Sequence, residues 1–154
     1  MGLYKKGGRM GTYADLAGII DEAAKKKVDY ANDLKITAAG FVRELERAWE
    51  AQGKVELGHL SDEGEFIPGE IGKLNNQQIA PFVINVRFDG DADTVLRLNM
   101  QIARTKHGVS LITPSGERLA VDADQPASFA AAIKNLSNWA FDWALDRREK
   151  SALA

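Results

Sequence analysis

A chain of 154 residues is long enough to bury a core as one domain, and 45% hydrophobic with 27% charged residues excludes a disordered polymer. A formal net charge of −2 removes a global electrostatic case for nucleic acid or an anionic membrane. The absence of cysteine removes disulfides, thiolate nucleophiles and cysteine metal sites together. No apolar run approaches the roughly 20 residues of a membrane span and the start lacks the apolar stretch of a secretory signal, so the chain reads as soluble and cytoplasmic, with no membrane partner.

Residues 1–9 stand apart. Leu3-Tyr4-Lys5-Lys6-Gly7-Gly8 resembles translated linker, with Met10-Gly11 as a second start, and the competing reading is a disordered basic arm. A single domain is expected over 10–150.

The first element is the most informative. At 100° per residue, Tyr13, Ala17, Ile20, Ala24, Val28, Ala31, Leu34, Ala38, Val42, Leu45 and Trp49 fall within about 60° of one direction, an amphipathic helical stripe. Thr12 is placed to cap it, with Asp15 three residues on. At 1.5 Å per residue such a helix is roughly 55 Å long, against about 40 Å for a compact domain of this size. Either it breaks and folds back, or it finds a partner. Asn32 and Asp33 are poor helix formers, which favours a break near 25–33, whereas the unbroken phase favours one rod. Gly53 is the expected left-handed cap.

From Lys54 the period changes to two. Val55–Leu60 is a short strand candidate, Glu65-Phe66-Ile67 a weaker one, and the segment from Ile71 to Ala80 reads as a loop. Phe82, Ile84, Val86 and Phe88, then Leu96, Leu98, Met100 and Ile102, alternate with mostly polar neighbours, the pattern of an antiparallel sheet with one covered face. Val109 to Thr113 and Arg118 to Val121 continue the meander. Asp122 or Asp124 is the expected cap of a final helix whose Phe129, Ile133, Leu136, Ala140 and Trp143 share a face, while Phe141 and Leu145 lie some 120–160° away. The expected architecture is α+β: a long N-terminal helix, an antiparallel meander of four to five strands, and a C-terminal helix packed on the sheet.

Few residue sets suggest chemistry. Asp89, Asp91 and Asp93 have the alternate spacing of a calcium loop, but Thr94 and Met100 occupy the positions where an EF-hand needs Gly and a bidentate Glu, so an acidic hairpin turn is the simpler reading. His59 lies near Glu56, Asp62, Glu63 and Glu65, and His107 sits in a turn; neither has a second histidine beside it. No phosphate loop and no nucleophile elbow is present, and no cofactor is implied. Lys25-Lys26-Lys27, Arg43, Arg47 and Arg147-Arg148 are interleaved with acids, as on a solvated helix face, so nucleic acid is disfavoured.

The expectation is therefore a non-catalytic protein-interaction module of adaptor, inhibitor or chaperone type, forming a homodimer or holding another protein. The expected contact residues are Tyr30, Leu34, Phe41, Leu45, Trp139, Phe141 and Leu145. The alternative is a small-molecule or lipid-binding domain with a pocket between helices and sheet, lined by residues such as Phe82, Met100 and Phe129. A nucleic-acid-binding accessory protein ranks third.

Overall fold

The computed structural model describes residues 11–153, leaving out the side chains of 152 and 153. The linker reading of residues 1–9 falls outside that range. Helix α1 spans Tyr13–Ala48 as one helix, with no interruption across 25–33. Its start is a reciprocal cap: Thr12 Oγ1 accepts the Asp15 N–H at 3.2 Å, and Asp15 Oδ2 accepts the Thr12 N–H at 3.1 Å.

The C-terminal cap differs from expectation. The Ala51 N–H reaches back to the Glu46 carbonyl at 2.9 Å and the Glu50 N–H to Arg47 at 3.1 Å, a Schellman pair whose left-handed residue is Glu50, at φ 50°. Gly53, at φ 75°, serves instead in the turn closed by the Lys54 N–H on the Ala51 carbonyl. A helix ended three residues earlier than the glycine leaves a side-chain-bearing residue in a conformation costing roughly 1–2 kcal/mol.

Six strands follow: β1 Val55–Leu60, β2 Phe66–Pro68, β3 Ile79–Phe88, β4 Asp91–Thr105, β5 Gly108–Ile112 and β6 Arg118–Val121. They pair antiparallel in the order β2-β1-β3-β4-β5-β6. The count is six rather than four to five, because the three-residue β2 pairs with β1 through Leu60 and Phe66. The acidic stretch is also shorter as a turn than expected. Only Asp89 and Gly90 form the turn, and Asp91 and Asp93 already belong to β4.

Along β4 the alternation is as expected: Leu96, Leu98, Met100 and Ile102 are buried, and Val95, Arg97, Asn99 and Gln101 are exposed. In β3, however, Val83 and Asn85 on the supposedly wet face are buried too. Gly58 lies opposite Val83 in the β1–β3 register, and the Phe66 ring occupies the space a Gly58 side chain would need. A glycine thus lets an aromatic ring fold across the open face and dry one strand.

The last helix, α2 Ala130–Leu153, is preceded by a 3₁₀ turn over Pro126–Phe129 whose N-cap is Gln125, without a side-chain cap bond. Asp122 and Asp124 therefore do not cap it. Asp122 Oδ1 instead accepts the Asp124 N–H at 2.9 Å, while Ser128 Oγ bonds both backbone groups of Asp122.

One core cluster joins Leu34, Phe41 and Leu45 of α1 to Ile84, Leu98 and Leu111 of the sheet and to Phe129, Ala132 and Leu136. Phe41 and Phe129 meet edge to face, with centroids 5.5 Å apart. The α+β class and the packing of the C-terminal helix on the sheet follow from this cluster. Residue contacts divide the chain into two units, between Asn32 and Asp33. Among the described residues no helix is long and apolar enough to cross a membrane.

Candidate interaction surfaces

The first surface is residues 13–32 of α1. No residue there is buried, and only Asp15, Ala17, Tyr30 and Ala31 are half-buried. Tyr13 is 85% exposed, Ile20 66% and Val28 58%, with Leu16 and Ile19 also exposed. The physical reason for noticing them is phase. Counting 100° per residue, Leu16, Ile20 and Ala23 lie on the line that later carries Leu34, Phe41 and Leu45, each 0% exposed. One stripe thus runs through the helix, covered on one side of Asn32 and bare on the other.

Three expected contact residues are corrected by this result. Leu34, Phe41 and Leu45 fill the chain's own core and offer no surface to a partner. Their greasy spacing is the same as that of Ile20 and Val28, so periodicity alone did not separate core from surface. Tyr30 is half-buried.

The second surface is on α2. After Trp143 every residue with a described side chain is exposed, and before it only Ala132 and Leu136 are buried. Phe141 is 70% exposed, and Trp139 and Leu145 are exposed as well. Phe141 forms one wall of an open hollow of about 300 Å³, together with Trp49, Phe88, Trp143, Val86 and Leu96. Phe88 and Trp143 stack, centroids 6.0 Å apart and planes 18° off parallel. The residues named beforehand for a pocket, Phe82, Met100 and Phe129, are core instead, all nearly free of solvent contact.

Around the mouth of this hollow runs a short polar chain. Thr94 Oγ1 donates to Asp91 Oδ2, Arg147 Nη2 donates to Thr94 Oγ1 at 3.0 Å, and the Arg147 guanidinium lies 5.6 Å from the Trp143 ring centroid. The Thr94 hydroxyl and the Asp93 N–H hold the Asp91 carboxyl below its ordinary pKa, outweighing desolvation, and the positive charge of Arg147 adds a smaller effect in the same direction. Asp89 pairs with Lys54. Asp89 and Asp91 thus have separate local tasks.

The histidines are likewise placed. His59 Nδ1 lies 2.8 Å from the Glu70 carbonyl, which ties the 69–70 bend to β1. His107 lines a hollow with Asp33, Arg104, Asp122 and Asp124, and Arg104 pairs with Asp33 at 3.2 Å. Among the described residues no three acids or histidines come together in a way that could hold a metal ion.

No protein family, curated protein or solved structure matches this chain. What the chain offers a partner is therefore read from its own surfaces. Two of them are visible, a bare helical stripe and an aromatic hollow. Trp49 and Trp143 are half-buried, packing against the core cluster with one part and lining the hollow with another. The usable signal was Phe141, out of phase with its own helix and left without cover.

Proposed function

We propose that the chain is a non-catalytic interaction module that self-associates through residues 13–31 of α1, a second copy lying antiparallel along the bare stripe. The carrying observation is that Tyr13, Leu16 and Ile20 are exposed on the face that the same helix buries from Leu34 onward, with Val28 exposed at the edge of that face. Several large aliphatic side chains in one line are uncommon on a surface that meets only water.

The charge order favours an antiparallel second copy. Asp15, Asp21 and Glu22 precede the block Lys25-Lys26-Lys27. Antiparallel pairing about residue 22 sets the lysine block of each copy opposite residues 17–19 of the other, at the cost of facing Glu22 with its own copy and Asp15 with Asp29, whereas parallel pairing stacks all three lysines on lysines. The same register sets Ile20 against Ala24 and Tyr13 against Ala31, large against small, as helices in close contact require.

Light scattering over a dilution series tests the proposal. The expected result is twice the chain mass at high concentration, falling to the single chain on dilution. A folded single chain at the highest concentration reached would contradict it.

A further inference from the structure

The hollow on α2 is independent of that stripe and has a chemistry of its own. Eight of its nine lining residues are apolar: Trp49, Phe88, Phe141 and Trp143 as walls, Val86 and Leu96 as floor, with Ala140 and Ala144 between. The ninth, Ser137, has no hydrogen left to donate to an occupant. Its Oγ accepts the Trp49 Nε1–H at 2.9 Å and donates to the Ile133 carbonyl at 2.8 Å. Whatever enters must be apolar along its length, since any polar group there would lose its water without replacement.

The exit is different. A second hollow shares Phe88, Trp143 and Ala144 with the first and is bordered by Arg147 and Arg148. Asp91 also borders it, but that carboxylate is already engaged by Thr94 and by the Asp93 N–H. Among the described residues neither arginine forms a salt bridge with a carboxylate, so positive charge predominates beside the apolar hollow. Arg147 is moreover held in place by Thr94 and the Trp143 face, so little side-chain freedom remains to be lost on binding.

We propose that this paired hollow binds one small amphipathic anion, its aliphatic or aromatic body between the indoles of Trp49 and Trp143 and its carboxylate at Arg147 and Arg148. About 300 Å³ lies at the lower end of ligand-sized cavities, which selects a medium-chain carboxylate over a two-chain lipid.

The two wall tryptophans supply the readout. In a Trp139→Phe background, whose indole borders a different hollow, emission reports Trp49 and Trp143 alone. Titration with decanoate is expected to give a saturable change in emission, and decanol, the same chain without charge, a binding constant about tenfold weaker, equivalent to about 1.4 kcal/mol. Arg147→Gln with Arg148→Gln is expected to weaken decanoate about tenfold and leave decanol unchanged. Ala144→Phe, a bulkier non-indole ring at an exposed position lining the hollow, is expected to abolish both, with the circular dichroism of the fold retained.

The absence of saturation by decanoate would overturn the proposal, as would equal binding of decanoate and decanol or an unchanged decanoate constant in the arginine double variant. Decanoate binding that persists in a variant carrying Ile20→Asp would separate this site from self-association.

Discussion

Leu45→Asp is expected to leave no folded protein. Leu45 is 0% exposed and packs in the cluster that joins α1, the sheet and the 3₁₀ turn. Truncating such a leucine to alanine costs about 2–5 kcal/mol through lost burial and the cavity left behind. An aspartate adds the penalty of an unpaired carboxylate in an apolar site, and the only escape is to bind a proton or to unfold. Domains of this size are stable by about 5–15 kcal/mol, so the combined loss consumes most or all of the margin. Chemical denaturation followed by far-ultraviolet circular dichroism reads the result. A Leu45→Asp protein with a wild-type midpoint would show that Leu45 is not core.

The same substitution twenty-five residues earlier is expected to act on assembly alone. Ile20→Asp with Val28→Asp places two carboxylates on the bare part of the stripe, where the single chain leaves both positions in water. Helix propensity falls only by a few tenths of a kcal/mol per site, so the fold is expected to survive. In the antiparallel pair each copy would bury both charges, and four desolvated carboxylates about a two-fold axis should raise the dimer dissociation constant at least a hundredfold, about 2.7 kcal/mol. Sedimentation equilibrium beside a thermal melt distinguishes the outcomes. Unchanged association would remove the stripe from the interface. Unfolding would place Ile20 and Val28 in the core with Leu45.

These two substitutions also mark where the sequence was legible and where it was not. A 36-residue helix was readable because one apolar line keeps its phase from Tyr13 to Trp49, and because Asn32 and Asp33 are too weak as breakers to outweigh it. The sheet was readable because Leu96, Leu98, Met100 and Ile102 leave no phase but two. The point where cover ends on α1 was not. Ile20 and Leu34 are equally greasy and share one face, and only the location of the strands decides which is buried.

The hollow was hidden for a related reason. Trp49 follows the end of α1 and Trp143 lies far along the chain in α2, and a tryptophan at a stripe position looks the same whether it fills a core or walls a cleft. Phe88 gave no warning either, since it ends a strand whose other even-numbered residues are core. Local chemistry misled at the helix ends. Gly53 and Asp122 are the residue types that caps prefer, yet Glu50 and Gln125 hold those positions, because the packing of Leu45 and Phe129 sets where each helix must stop and start.

One stripe with two fates is measurable in a single sample by amide hydrogen exchange. Within α1, amides 34–48 are expected to exchange slowly at every protein concentration, protected by the core. Amides 13–31 are expected to exchange quickly when dilute and to gain protection in step with dimer formation as concentration rises. Equal, concentration-independent exchange over residues 13–31 at concentrations spanning the dissociation constant would contradict the claim.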